Sequence, residues 1–445
     1  MRDLDALCRD AVDAALDGEN LEAYAEWGRK TDVKVYDGRV ESLTSAESRG
    51  LGVRVIAGNR VGYAYSADPS PGEVAAVVAQ ARENAALSTP DDGNVLPAPA
   101  AAERLDGIFK PSIASTPTAA KVERALELER LCRAADARVT GIEEAQYGDA
   151  ISRMAIRSTR GVEAAVERGD CWGVVSALAR EGDETQTGFA FEIARAPEDL
   201  DLDRAAREAA LRATRMLGAQ KPKTEKMPVL LDPYAATSFL GVLAAGLTAE
   251  SVLKGRSLFA EKVGEHVGGE AFTLVDDGRE LQGPAASPVD DEGVPTGRTL
   301  LVERGVLRGF LHNTYTATRM GAASTGNAGR AGFRSTPGVG PTNLFVEPGT
   351  DDQESMIARA GRALLVQDLI GVHSGANPIS GDFSVGATGL VYDGGSDPRP
   401  VREVAIASTI LDILGGIVAV GADLRFFGGS GSPTILVGEM TVAGA

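Results

Sequence analysis

The stretch Leu21-Glu22-Ala23-Tyr24-Ala25-Glu26-Trp27, continued by Val33 and Val35 to Asp37-Gly38, decides the fold. Leu21, Ala23, Ala25 and Trp27 alternate with Glu22, Tyr24 and Glu26, which is the period of a strand with two unlike faces. Asp37-Gly38 supplies the positive φ angles that a two-residue hairpin turn demands. A second hairpin follows at once, with Val53 and Val55 before a Gly58-Asn59 turn and Val61, Tyr63 and Tyr65 after it.

Outward from these hairpins the period changes. Leu4, Leu7, Ala11 and Ala15 keep helical spacing, and Asp68 to Pro71 starts a helix that runs to about Leu87. Residues 1–90 therefore read as a helix–sheet–helix domain with a core of its own. Pro90, Pro97, Pro99, Pro111 and Pro117 mark 91–117 as a surface connector. A middle α/β hairpin domain spans 118–220. Its helix carries Val122, Leu126, Leu128 and Leu131, its strands run from about Val139 to Ile193, and a charged helix from Glu198 to Leu217 closes it. Lys221-Pro222-Lys223 reads as a linker. The last domain, 227–445, is Gly-rich and mainly strand, with a hairpin of Thr299–Glu303 and Val306–His312 around Arg304-Gly305. It also holds an Ala/Leu-rich helix between Ala235 and Lys254 and another after Asp351-Asp352. No solenoid-length repeat stands out. Separated helices and hairpin strands predict an α+β fold, not a doubly wound sheet.

Composition narrows the function. The 445 residues carry a net charge of −18, the wrong sign for a free-standing nucleic-acid binder. Charged residues at 24% and hydrophobic ones at 43% are those of a folded globular chain. Aromatics at 5% against 53 Gly predict an aliphatic and Ala core with many tight turns. Cys8, Cys132 and Cys171 are too few and too dispersed for a disulfide framework or a Cys-based zinc site, which fits a reducing compartment. Met1-Arg2-Asp3-Leu4-Asp5 lacks a basic and apolar leader, and the longest uncharged run, Pro233 to Ala249, is too short to span a membrane. The expectation is a cytoplasmic, soluble protein.

The familiar catalytic motifs are missing. There is no G-x-x-x-x-G-K-[ST] loop, no G-x-G-x-x-G after a strand and no G-x-S-x-G elbow. Ser251-Val252-Leu253-Lys254 matches S-x-x-K without its companion motifs. His266, His312 and His373 are the three His of the chain, and no helix offers two, so a zinc site with paired helical ligands is not expected. Two Gly-rich polar segments remain: Gly309 to Ala317 leading to Ser324-Thr325-Gly326-Asn327-Ala328, and Asn377 to Gly386. Both place donors and acceptors beside Gly, where another backbone can approach. A structural role in bulges and turns and a ligand-facing role weigh about equally there.

In these segments the chain resembles the TldD/PmbA family, peptidase-related proteins also described as modulators of DNA gyrase. The resemblance covers nearly the full length. It is carried by Phe310-Leu311-His312-Asn313-Thr314-Tyr315-Thr316-Ala317, by Ser324-Thr325-Gly326-Asn327-Ala328, by Ser380-Gly381-Asp382-Phe383-Ser384 and by Glu439-Met440-Thr441-Val442-Ala443-Gly444. The TldD branch has a zinc-binding His-Glu-x-x-x-His helix and a later Cys ligand; the PmbA branch, also called TldE, lacks them. The corresponding helix here reads Gly241-Val242-Leu243-Ala244-Ala245-Gly246-Leu247-Thr248-Ala249-Glu250, without His, and the late region Phe426-Phe427-Gly428-Gly429-Ser430-Gly431 has no Cys.

The resemblance implies a PmbA/TldE-type subunit that holds no metal or other cofactor and pairs with a TldD-type metallopeptidase subunit, where the zinc sits. A monomer is not expected, and a homodimer of the isolated chain is the alternative to that pairing. The implied substrate is an unfolded or short peptide, with His312, Asn313, Tyr315, Asn327, His373 and Asp382 lining the cleft and no catalytic residue in this chain. Nucleic acid and membrane are not expected partners. Two other classes stay open: a metal-independent hydrolase, and a non-catalytic binding or regulatory protein in peptide or natural-product maturation.

Overall fold

The computed structural model describes residues 3–68, 70–394 and 397–444. Helix α1 (Leu4–Asp13) is capped by Asp3, and strands β1 (Asn20–Tyr36), β2 (Arg39–Ala57) and β3 (Arg60–Ser66) follow. The turn residues Asp37 and Gly38 have φ of 50° and 71°, and Gly58 and Asn59 have 55° and 59°. Both turns therefore have the left-handed pair that matches strand twist. Helix α2 (Pro71–Leu87) completes the unit.

After a short helix α3 (Pro111–Ser115), the same order of elements returns. Helix α4 (Thr118–Ala135) leads to β4 (Val139–Ser158), β5 (Glu163–Glu181) and β6 (Glu184–Ala194), then to helix α5 (Leu202–Thr214). The two αβββα units merge into one antiparallel sheet, β3-β2-β1-β4-β5-β6. Strand β1 pairs with β4 from Glu22–Ser158 to Val35–Ala145. Each unit keeps its own apolar cluster, α1 and α2 over one part of the sheet and α4 and α5 over another. The packing repeats as well. A Cβ on Gly62 of β3 would lie 2.0 Å from the Ala81 carbonyl oxygen of α2, and one on Gly188 of β6 would lie 2.2 Å from that of Ala209 in α5. The stretch 91–117 is pinned rather than loose, because Leu96, Ile108 and Ile113 are buried.

The C-terminal half begins with β7 (Glu225–Leu231), α6 (Pro233–Gly246), α7 (Ala249–Leu253), β8 (Leu274–Asp277), β9 (Arg298–Glu303) and β10 (Val306–Leu307). It continues with α8 (Thr314–Met320), β11 (Ala328–Gly329), β12 (Gly338–Val339), β13 (Leu344–Val346), α9 (Gln353–Ala360), β14 (Arg362–Ile370) and α10 (Val372–Gly375). It ends with β15 (Asp382–Asp393), β16 (Arg399–Thr409), α11 (Ile410–Gly415), β17 (Ile417–Val420), β18 (Arg425–Phe427), β19 (Ser430–Ser432) and β20 (Ile435–Ala443). Because β16 pairs with both β15 and β20, the strands β7-β14-β15-β16-β20 close into a barrel, which removes their edges. A second sheet runs β10-β9-β8-β13-β19-β18. Apolar residues from both sheets bury α6, whose Phe239 meets Phe383 of β15 edge-on at 5.5 Å. The fold is α+β. Among the described residues no helix is long and apolar enough to cross a membrane.

Candidate functional site

The hairpin of β9 and β10 turns at Arg304-Gly305, with φ of 46° and 80°. The strand expected to reach His312 stops at Leu307. Leu311 is instead stitched to the end of α6 and the start of α7: its N–H donates to the Leu247 carbonyl and its carbonyl accepts from the Ala249 N–H, both at 2.9 Å. Asn313 then caps α8. Its side-chain oxygen accepts the Thr316 N–H at 2.9 Å, and its own N–H donates to the Thr316 hydroxyl at 3.2 Å, a reciprocal capping box. The expectation that the hairpin strand runs on to His312 is thereby corrected. A cap residue followed by a hydroxyl three positions on outcompetes strand continuation, because it satisfies N–H groups that a helix start leaves open.

His312, Asn313 and Asn327 are brought into one hydrogen-bonded knot and are nearly fully buried. The His312 N–H donates to the Thr325 hydroxyl at 2.8 Å, and its carbonyl accepts from the N–H groups of Thr325 and Asn327. Its ring Nδ1 lies 3.3 Å from the Thr316 hydroxyl. Burial pushes the imidazole below its ordinary pKa, because the charged form is the one desolvation penalises. The Asn327 amide donates to Asp276 at 2.6 Å and to the Gly340 carbonyl at 3.2 Å, while its oxygen accepts from the Thr325 hydroxyl at 2.6 Å. Asp276 also accepts the N–H and hydroxyl of Thr342, at 2.7 and 2.8 Å. Burial nevertheless raises its carboxyl to about 6.

Tyr315 stands at the margin of this knot and is half-buried. Its hydroxyl donates to Asp91 at 3.0 Å, and Arg319 pairs with the same carboxylate. The Asn313 amide donates to the Gly338 carbonyl of β12 at 3.3 Å, and a Cβ on Gly338 would lie 3.8 Å from the Glu250 carboxylate. Glu250, Tyr315 and the β11–β12 hairpin thus share one surface. Ser251 donates to the Ala245 carbonyl at 2.6 Å and Lys254 pairs with Glu250, so the S-x-x-K residues are engaged elsewhere than with each other. His373 in α10 and Asp382 at the start of β15 are exposed. Asp382 accepts from the Ser380 hydroxyl at 2.6 Å. Among the described residues no hydrogen bond joins either to the His312 knot.

One buried charged layer escaped the sequence reading. Beneath α8, Arg54 donates to Glu22 at 2.7 Å and to Glu292 at 2.8 Å, and Glu22 also pairs with Arg330. The other Glu292 oxygen accepts the N–H of Thr314, the first residue of α8, at 2.9 Å. Burial alone would raise Glu292, but Arg54 and Thr314 hold it below its ordinary pKa. The face of β1 carrying Glu22, Tyr24 and Glu26 therefore meets the C-terminal half instead of water. Phe333 closes it: its N–H donates to Glu26 at 3.1 Å and its carbonyl accepts the Tyr63 hydroxyl at 2.7 Å.

Cys8, Cys132 and Cys171 are buried, and the Cys8 thiol donates to the Ala155 carbonyl. Among the described residues no three His, Cys, Asp or Glu side chains converge as a metal would require.

Comparison with known proteins gives concordant matches. Residues 21–85, 111–217 and 224–444 match the models of domain 1, the central domain and the C-terminal domain of the PmbA/TldA metallopeptidases. The chain is 28% identical to Metalloprotease PmbA of Escherichia coli O157:H7, over 98% of this chain and 96% of that protein. It is 26% identical to a Metalloprotease TldD homologue of Haemophilus influenzae, over 92% and 89%. A Thermotoga maritima protein described as a modulator of a DNA gyrase superposes with a TM-score of 0.90 at 27% identity, covering 98% of each chain. TldE from Thermococcus kodakarensis, at 24% identity and 99% coverage of each chain, shares the fold with a TM-score of 0.89.

Proposed function

The chain belongs to the PmbA/TldD metallopeptidase family, and on that premise we propose that it is the zinc-free, TldE-type subunit of a two-chain peptidase. A TldD-type chain supplies the metal, and this chain closes the chamber beside it and restricts entry to unfolded or short peptides. The observation that carries this reading is the α6 segment. The helix that the resemblance sets against the family's zinc helix has no His, and Glu250 beyond it is paired with Lys254. An extended peptide is the fitting substrate, since a strand is held through backbone hydrogen bonds with little side-chain preference. Tyr315, His373 and Asp382 reach it from the surface, while His312, Asn313 and Asn327 hold the wall of the cleft.

Mixing the purified chain with a related chain that carries His-Glu-x-x-x-His tests the proposal. Cleavage of an unfolded peptide is expected from the mixture alone, with zinc measured in proportion to the partner. One tightly held zinc per copy of this chain would overturn the assignment. Turnover by the isolated chain that survives chelator would replace it with the metal-independent hydrolase.

A further inference from the structure

Strand β5 is longer than the strand beside it. Strand β6 pairs with it from Glu181–Glu184 to Cys171–Ala194 and stops there. Among the described residues, 163–170 therefore have β4 on one edge and no strand on the other. The connector takes up that line. Its Ile108 carbonyl accepts the Gly169 N–H at 3.0 Å, and at the other end a Cβ on Gly161 would lie 3.7 Å from the Pro99 ring. Between these contacts the connector stands off the strand. Arg279 holds it there, donating to the carbonyls of Glu103 and Arg104 at 3.1 and 3.2 Å. A cavity of about 570 Å³ separates connector and strand, with Val166, Pro288 and Val289 in its lining. Backbone groups of alternate residues point to the same edge of a strand. The Gly169 bond thus assigns the N–H and C=O of Glu163, Ala165 and Glu167 to the cavity side, and among the described residues none of them makes a backbone bond to the connector. Such groups are a template for another strand.

We propose that this slot binds a short extended peptide, antiparallel to β5, with basic residues opposite Glu163, Ala165 and Glu167 and apolar residues opposite Ala164 and Val166. Antiparallel is the sense of β6, so the peptide continues the course that β6 leaves at Ala194. Its backbone supplies the hydrogen bonds. The two faces of the strand set the side chains, because opposed residues point to the same face. On one face Ala164 and Val166 pack toward the C-terminal half with Ile108, Ala286 and Val289, which asks for apolar partners. The other face is charged. The lining holds four carboxylates, Glu103, Asp106, Glu163 and Glu167, against the single guanidinium of Arg104. Arg157 pairs with Glu163, Arg153 with Glu167 and Arg104 with Asp106, while Arg279 comes within 3.9 Å of Glu103. Glu163 and Glu103 nonetheless stay 61% and 90% exposed, open to a cation from the peptide. The contacts at Gly161 and Gly169 close the ends, so the occupant matches 163–167 in length. The inference does not depend on the peptidase reading.

Calorimetric titration of the full chain with the blocked peptide acetyl-Lys-Val-Lys-Val-Lys-amide tests it. One peptide per chain is expected, and hydrogen exchange at the Ala165 and Glu167 amides, fast in the free chain, should slow on binding. Methylating the backbone nitrogen of the central lysine removes the donor to the Ala165 carbonyl and should weaken binding about tenfold. Replacing the three lysines by glutamate should weaken it about tenfold at low salt. Glu163→Lys should weaken the lysine peptide and favour the glutamate one, by about threefold each. Ala165→Pro takes an N–H from the open side of the edge and should abolish binding; if that variant fails to fold, the methylated peptide puts the same question to the wild-type chain. No binding at millimolar peptide, binding indifferent to the methyl group, or a preference of wild type for the glutamate peptide would overturn the proposal. So would slow exchange at Ala165 in the free chain, which would show the connector or a second copy already seated on the edge.

Discussion

The Arg54 guanidinium donates to the Glu292 carboxylate at 2.8 Å, across 238 positions of sequence. The bond ties the first sheet to the N-terminus of α8, because Glu292 also accepts the Thr314 N–H. Glu292→Gln keeps the volume and removes the charge, leaving Arg54 and Arg330 to share Glu22. Breaking a buried pair on one side strands the other charge, so a loss of about 3 kcal/mol is expected. Denaturant unfolding measures it, and a change under 1 kcal/mol would show that water enters the network.

The repeated close contacts of helix on strand give a signed set of glycine predictions. Gly62→Ala and Gly188→Ala each drive a methyl group into helix backbone and should each cost about 2 kcal/mol or more. Gly241→Ala is the opposite case. Its Cβ meets nothing within 4 Å on an exposed position of α6, so the helix should gain about 0.5–1 kcal/mol. Thermal midpoints of the three variants check both signs at once.

Local chemistry was legible and long-range pairing was not. Asp37-Gly38, Gly58-Asn59 and Arg304-Gly305 announce their turns because few residue pairs accept positive φ. Nothing in Glu22–Val35 announces that its other edge belongs to Ala145–Ser158, since alternation names a face and never a neighbour. The same limit hid the Arg54 network. Glu22 and Arg54 look like a solvent face until Glu292 and Arg330 are folded onto it. The start of α8 was legible in principle, because Asn313-x-x-Thr316 is a capping pattern, but the preceding hairpin favoured continuing the strand. The resemblance reached the family through the His312 and Asp382 segments, which the fold places apart in hydrogen bonding.

Asp276 gives a pH prediction. Its carboxyl rises from 3.8 to about 6 on folding, so between these values the folded chain holds the proton more tightly than the unfolded chain. Its contribution to stability is therefore full below about pH 4 and falls as pH rises through 6. One proton corresponds to about 1.4 kcal/mol per pH unit, or roughly 3 kcal/mol across the window. The difference between the stability curves of wild type and Asp276→Asn, measured from pH 4 to 6.5, should slope downward by that amount. A flat difference would place the ordinary carboxylate in the folded state.

His312 separates a structural role from a substrate contact. Its carbonyl and N–H anchor the 324–327 loop through the backbone, and its ring touches the Thr316 hydroxyl that closes the α8 cap. His312→Ala leaves the backbone bonds and removes the ring, so it opens a cavity and loosens the cap; a loss of about 1–3 kcal/mol is expected. Burial lowers the folded pKa below the ordinary 6.5. The unfolded chain then binds the proton more tightly, and the His312 contribution is present above pH 6.5 and lost as pH falls through the lowered value. Its sign is opposite to that of Asp276. A ring resonance in the NMR spectrum that titrates below 6.5, together with a depressed thermal midpoint for His312→Ala, is the expected pair of results. If instead the midpoint holds while peptide cleavage by the reconstituted pair drops several-fold, the ring reaches substrate, because a lost neutral hydrogen bond costs about 0.5–1.5 kcal/mol. Abolished cleavage with unchanged stability would put chemistry on this chain, since the loss of a general base costs orders of magnitude.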